Sequence, residues 1–209
     1  GKTTTTNILR TLLTNTGHKV GLIGTINIMI GDEVEASHNT TPDVVDLQRT
    51  LCRMADAGCD YVVMEVSSHA LALNRVAGIE YDTAALTNIT QDHLDFHKTF
   101  ENYALAKAKL FSSLTAEGNI KQNKTAIINI DDKAAHIMQE HSHCPVYTYA
   151  IKNDAVLKAC NIDIHADGAS FSIAGDLINM DLSLNITGLF NIYNVMGAVG
   201  AALAEKIAP

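Results

Sequence analysis

Gly1-Lys2-Thr3-Thr4 holds the residue types that handle phosphate. They match the last positions of a phosphate-binding loop, G-x-x-x-x-G-K-[ST]. A glycine lets backbone N–H groups close on the anion, a lysine reaches its outer oxygens, and the next hydroxyl ligates Mg²⁺. Ile8, Leu9, Leu12 and Leu13 follow at helical spacing, so a helix aims its positive end at the same point. Taken alone, G-K-T is equally the start of an ordinary threonine-rich helix.

Downstream stretches carry chemistry of their own. Glu65 closes the apolar run Tyr61-Val62-Val63-Met64 and precedes Ser67-Ser68-His69. That puts a carboxylate at the carboxyl end of a strand expected to be covered on both faces, where α/β sheets place ligands. Thr83–Thr87 reads as a second strand running into Asn88 and the polar cluster from Thr90 to His97. Lys107 lies on a helix predicted over 100–114. At about 100° per residue it falls among Phe100, Tyr103, Leu110, Phe111 and Leu114, whereas Lys109 points to solvent. Such a lysine either packs its stem and sends its head outward, or has its ammonium form disfavoured and becomes a reactive neutral amine.

The elements that must position these groups can be read in outline. Lys19–Thr25 is a short buried strand, and residues 26–41 form a hairpin or excursion around Gly31-Asp32. Thr41-Pro42-Asp43 has the order of a helix start: N-cap, first helical position, acid. The helix behind it carries Val44, Leu47, Leu51 and Met54 on one face. Thr125–Asn129 is a strand, and Asp131-Asp132 opens the next helix. From 155 to 187 alternating residues predict an antiparallel meander, and a last helix from about residue 190 has Asn191 and Asn194 in its first turn. The fold class expected is α/β: a mostly parallel sheet wrapped by helices, with a smaller antiparallel sheet towards the C-terminal end.

The 209 residues, 47% of them hydrophobic, suffice for one domain with a sizeable core. A formal charge of −8 and the lack of any Lys/Arg cluster argue against nucleic acid or an anionic membrane as partner. No apolar run approaches a membrane span. Four cysteines without C-x-x-C spacing predict neither a zinc site nor a disulfide framework, and suit a reduced, cytoplasmic protein. A chain that starts without methionine and inside a motif is expected to be a fragment.

Taken in order, Gly1-Lys2-Thr3-Thr4, Asn39-Thr40-Thr41-Pro42, Glu65-Val66-Ser67-Ser68-His69, Thr87-Asn88 with Asp92-His93-Leu94-Asp95, Ala106-Lys107, Asn129 with Asp131-Asp132, and Gly188-Leu189-Phe190-Asn191 resemble the motifs of Mur ligases. These are the ATP-dependent amide ligases of peptidoglycan precursor synthesis. The Asn39–Pro42 and Glu65–His69 stretches are most similar to members that add a third amino acid, diaminopimelate or lysine, to UDP-N-acetylmuramoyl-L-alanyl-D-glutamate. The resemblance covers nearly the whole chain. It implies a central ATP-binding domain spanning 1–209, without the first part of the loop, the N-terminal uridine-binding domain or the C-terminal domain. It implies ATP, two Mg²⁺ ions and a carbamylated lysine as cofactors, a UDP-N-acetylmuramoyl-dipeptide and an amino acid as partners, and a monomer.

By the same resemblance Lys2, His93 and Lys107 are catalytic, and Thr3, Glu65, His93 and Lys107 serve the metals. Gly1, Lys2, Thr3, Thr4, Asn129 and Asn191 lie at the nucleotide, and Thr40, Thr41, Ser67 and Arg75 at the muramoyl-peptide. Phe190 stands where many relatives have histidine, and Leu73 where some have glutamine. Folylpolyglutamate synthase and other Mur ligases share the loop, metals and lysine. A non-catalytic nucleotide-binding module would share the loop alone.

Overall fold

The computed structural model describes residues 1–89 and 94–207. The described residues form two sheets. The smaller consists of β1 (Val20–Ile23), β2 (Asn27–Ile30), β3 (Glu33–Ala36) and β4 (Tyr61–Met64), in the order β3-β2-β1-β4. β1 and β4 are parallel, with Val20 opposite Tyr61, and the hairpin β2–β3 adds two antiparallel strands. The larger sheet runs β10-β9-β8-β7-β6-β5, built from β5 (Thr83–Leu86), β6 (Thr125–Asn129), β7 (Val146–Ala150), β8 (Leu157–His165), β9 (Gly168–Gly175) and β10 (Met180–Leu184). β5 to β8 are parallel, and β8, β9 and β10 form the expected meander. The meander stays in the six-stranded sheet because β8 pairs with β7 through Tyr149–Leu157 and Ala150–Lys158. β7 was not singled out by the sequence pattern.

Helices cover both faces, which explains the apolar runs of the strands. In β6, Ala126 and Ile128 pack against α5 (Phe100–Ser113) and α6 (Ala135–Glu140), while Ile127 faces the core under α7 (Leu189–Ala204). α1 (Lys2–Asn15) lies beside α7 and sends Leu13 onto Val20, Leu22 and Val63. α2 (Val44–Asp56) covers the other face of the small sheet, with Leu47 and Met54 fully buried against Ile23 and Ile30. The short α3 (Ser68–Ala72) and α4 (Leu94–His97) pack on α5, whose N-cap Thr99 accepts a hydrogen bond from Asn102 N–H at 3.1 Å.

Two expectations need correction. The helix after Pro42 does not start at Thr41: Asp43 is the N-cap in extended conformation and Val44 the first helical residue. Thr41 is instead 1% exposed and tied to the end of β4, a pull that outweighs its capping preference. β4 is also not covered on all sides. Val62 is 39% exposed, and the run 59–66 lines a cleft of about 980 Å³ whose opposite wall is 78–88, around β5. β4 and β5 belong to separate hydrogen-bonded sheets. Thr3 reaches Glu65 just past β4, and Gly1 lies against Thr87 and Asn88 just past β5. The carboxyl ends of both strands therefore meet at the start of α1.

Candidate functional site

Glu65 is the centre of this meeting point. It is 2% exposed, and its carboxylate accepts three hydrogen bonds: Thr3 Oγ1 to Oε2 at 3.0 Å, Thr25 Oγ1 to Oε2 at 3.0 Å, and Thr25 N–H to Oε1 at 2.9 Å. Its own N–H donates to Ile23 O at 2.8 Å, continuing the β1–β4 pairing. Gly24 follows β1 because the carboxylate passes it closely: a Cβ there would stand 2.6 Å from Glu65 Oε1. A buried carboxylate held by neutral donors has no positive side-chain partner in this set, which is an arrangement that suits a bound cation.

Lys2 and Lys107 line the same cleft as Glu65. As periodicity required, Lys107 is turned inward on α5 and half-buried while Lys109 is exposed. Lys107 Nζ lies 5.2 Å from the centroid of the Tyr103 ring. Burial, and then the charge of Lys2, push its pKa down to about 8, against an opposing pull from Asp132. The Tyr103 ring also stacks on His97, 5.1 Å between centroids. His97 is 6% exposed, and its Nε2 lies 3.0 Å from Ser68 Oγ at the start of α3. Sequence reasoning gave His97 and Thr25 no part. The signal for Thr25 was its place after the end of a buried strand.

The substrate candidates form a second group. Thr41 Oγ1 donates to Glu65 O at 2.9 Å and accepts from Ser67 N–H at 3.0 Å. Ser67 caps α3, accepting from Ala70 N–H at 3.2 Å. Arg75 pairs with Asp43 at 3.1 Å, and Thr40 Oγ1 lies 3.1 Å from Thr25 Oγ1. Thr40 thus stands next to the Glu65 group, and Thr41 and Ser67 stand behind it. His93 lies outside the described residues.

The nucleotide candidates divide. Gly1 is the N-cap of α1, Lys2 and Thr3 open the helix, and Thr4 is half-buried in its first turn. Asn129 and Asn191 do not line the cleft. Asn129 is 5% exposed; its Nδ2 donates to Thr87 O at 2.8 Å and its Oδ1 accepts from Asp131 N–H at 3.1 Å, so it joins the ends of β5 and β6. Asn191 Oδ1 accepts from Asn194 Nδ2 at 3.1 Å, and buried Asn194 in turn accepts from Thr5 Oγ1 at 3.4 Å. Asp132 holds Ile89 N–H at 2.7 Å, bracing the segment after β5. Asp131 accepts the N–H groups of Ile151, Lys152 and Asn153 and the Tyr193 hydroxyl. Burial alone would raise its pKa, but these bonds outweigh it and hold the carboxyl at about 2.

The donor set fits Mg²⁺. A hydroxyl and a carboxylate are hard oxygen ligands, and an ion that keeps several waters and phosphate oxygens needs few from the protein. No group of three or more His, Cys, Asp or Glu is gathered for a metal among the described residues. A lysine at the first turn of a 14-residue helix and a glycine at its N-cap fit a phosphate. The arrangement can neutralise an anion where two strands end, beside a lysine able to lose its proton.

Comparison with known proteins agrees with this geometry. A family model described as the Mur ligase middle domain matches residues 1–202. The UDP-N-acetylmuramoyl-L-alanyl-D-glutamate–2,6-diaminopimelate ligase of Bacillus velezensis is 44% identical over 207 residues, covering 99% of this chain and 42% of that protein. The corresponding ligase 1 of Clostridium acetobutylicum is 44% identical over 207 residues, with 99% of this chain and 41% of that protein covered. A solved structure of a ligase of the same name superposes with a TM-score of 0.88 at 27% identity, over 99% of this chain and 42% of that one. The chain therefore spans less than half the length of the relatives it matches. With a middle-domain match over nearly its whole length and the loop, carboxylate and lysine brought to one cleft, this chain belongs to the Mur ligase family.

Proposed function

We propose that the chain is the central, ATP-binding part of a longer ligase that joins 2,6-diaminopimelate to UDP-N-acetylmuramoyl-L-alanyl-D-glutamate. The observation that carries this is the convergence of Lys2, Glu65 and Lys107 on one cleft at the N-terminus of α1. The amino acid is taken from the names of the relatives at 44% identity. In this reading the dipeptide carboxylate takes the γ-phosphoryl group of ATP, and the incoming amine displaces phosphate from the resulting acyl phosphate. Such a transfer rests on positioning and charge neutralisation.

Lys2 would draw the outer phosphate oxygens, and the free N–H groups at the start of α1 would bind them. Thr3 and Glu65, with His93, would hold Mg²⁺, two ions in all, and bound metal would supply charge neutralisation for the transferred group. Lys107, having lost one proton to become the neutral amine present in part near pH 8, would add CO₂ and release a second proton, giving a carbamate anion at the metal side. Thr40, Thr41, Ser67 and Arg75 form the muramoyl-peptide side, on the far side of Glu65 from α1. Gly1, Thr4, Asn129 and Asn191 would support the nucleotide, Asn129 by joining the ends of β5 and β6. A monomer in the cytoplasm, where nucleotide-linked substrates are found, suits this chemistry.

The reading also gives an occupant to the stretch of the cleft between β4 and β5 that runs away from the start of α1. β4 and β5 offer two strand edges pointing the same way, and a phosphate loop ordinarily continues from a strand. Residues preceding Gly1 in the longer protein would supply that strand and the remaining loop N–H groups.

The test uses the longer protein that carries this chain, offered ATP and 2,6-diaminopimelate with UDP-muramoyl-dipeptide, or ATP and glutamate with a folate. One ATP hydrolysed per amide formed, only with the muramoyl substrate, is the result expected. Turnover with the folate would make it a folylpolyglutamate synthase. ATP binding with no carboxylate-dependent hydrolysis would make it a non-catalytic module. The 209 residues by themselves should turn over negligibly.

A further inference from the structure

Thr25 grips both oxygens of Glu65, and nothing in the phosphate chemistry above gives it work. Its N–H holds Oε1 at 2.9 Å and its Oγ1 lies 3.0 Å from Oε2. The same Oγ1 lies 3.1 Å from Thr40 Oγ1. A hydroxyl has one proton to give and lone pairs to receive, while an ionised carboxylate only accepts. The direction is therefore fixed: Thr40 donates to Thr25, and Thr25 donates to Glu65.

Thr3 donates to the same Oε2. A Thr3 hydroxyl turned to a cation gives that bond up, and the two bonds from Thr25 are then what keeps the carboxylate plane from rotating. The turn itself does not need the Thr25 hydroxyl, because Gly24 N–H already closes it on Asn27 O at 3.1 Å. Thr25 is moreover exposed and takes no part in the core.

We propose that Thr25 is a positioning residue: it fixes the orientation of Glu65 for a divalent cation and links that carboxylate to Thr40 on the substrate side. The proposal rests on the reading of Glu65 as a metal ligand. Groups that orient metal ligands commonly contribute about 10- to 100-fold to metal affinity. Because the N–H bond survives any side-chain change, the lower end applies here.

The experiment measures Mn²⁺ binding by electron paramagnetic resonance, with a non-hydrolysable ATP analogue present, on the longer protein that carries this chain and on its variants. Thr25→Val should bind Mn²⁺ about tenfold more weakly than wild type, with an unchanged melting temperature. Thr25→Ser, which keeps the hydroxyl, should bind as wild type does. Equal affinity of Thr25→Val and wild type would overturn the proposal alone. So would a Thr25→Ser as weak as Thr25→Val, or a weakening that comes with a lowered melting temperature. Wild-type longer protein that binds no Mn²⁺ would overturn both the proposal and the metal-site reading beneath it.

Discussion

A carboxylate that is 2% exposed and accepts three hydrogen bonds reacts to substitution in a way its contacts dictate. In Glu65→Gln the amide oxygen can keep the Thr25 N–H, and both threonine hydroxyls can turn to accept from the new NH₂. Folding should lose no more than about 1 kcal/mol. On the function proposed above, acyl-phosphate formation by the longer protein should fall by at least about 10²-fold, because the variant removes the charge that would hold a metal ion at the transferring group. Rapid-quench assay of the acyl phosphate beside a thermal melt reads both. A collapsed melt, or an unchanged rate, would count against the role.

Lys107 offers a second test. Its pKa of about 8 lies below the ordinary 10.5, so burying the cation costs stability in full below about pH 8, and the cost disappears as pH rises towards 10.5. The neutral amine amounts to about a tenth at pH 7 and about half at pH 8. With ¹³C-bicarbonate at fixed dissolved CO₂, a carbamate resonance should grow over that interval, vanish in Lys107→Ala and persist in Lys109→Ala. In the longer protein Lys107→Ala should be nearly inactive and partly rescued by short carboxylates. Rescue of Lys109→Ala instead would reverse the assignment.

At the scale of elements, Asp131 ties the end of β6 to the loop after β7 and to α7. Its carboxylate accepts three consecutive N–H groups and the Tyr193 hydroxyl at 2.7 Å. Asp131→Asn brings an NH₂ against these donors and should lower stability by about 2 kcal/mol, discounted for partial exposure. That corresponds to a melting temperature lower by about 5 °C. With a folded pKa of about 2 against an ordinary 3.8, the contribution is present above about pH 4 and lost as pH falls towards 2. The gap between wild type and variant should therefore close over that interval. A gap independent of pH would assign the effect to shape and not to charge.

For the whole molecule the cleft between the sheets is the open question of stability. Two strand edges face about 980 Å³, and unpaired edges are where sheets accept another strand. On the reading proposed above, in which this chain is part of a longer protein, including the residues that precede Gly1 there should add a strand in this cleft. A gain of about 3 kcal/mol would raise the melting temperature by roughly 10 °C. It should also protect the backbone N–H groups of β4 and β5 from hydrogen exchange. An extension that leaves melting and exchange unaltered would leave the cleft without this occupant. No helix among the described residues is long and apolar enough to cross a membrane.

Much of this was legible from residue types and spacing, because those features are local. The helix behind Lys2, the inward Lys107 and the strand Thr125–Asn129 follow from residue types and periodicity alone. The tertiary structure decided the rest. Thr41 reads as a helix cap, yet it bonds β4 from 24 residues away, and Thr25 meets Glu65 across 40 residues. Asp131 reads as a helix start, yet it serves backbone groups about 20 residues on. In each case a side chain satisfies main-chain or carboxylate groups of a distant segment. Main-chain donors are the same at every residue, so no pattern of side chains records which one a hydroxyl or carboxylate will find. Only the packing of β1 beside β4, and of β6 beside β7, brings them within reach.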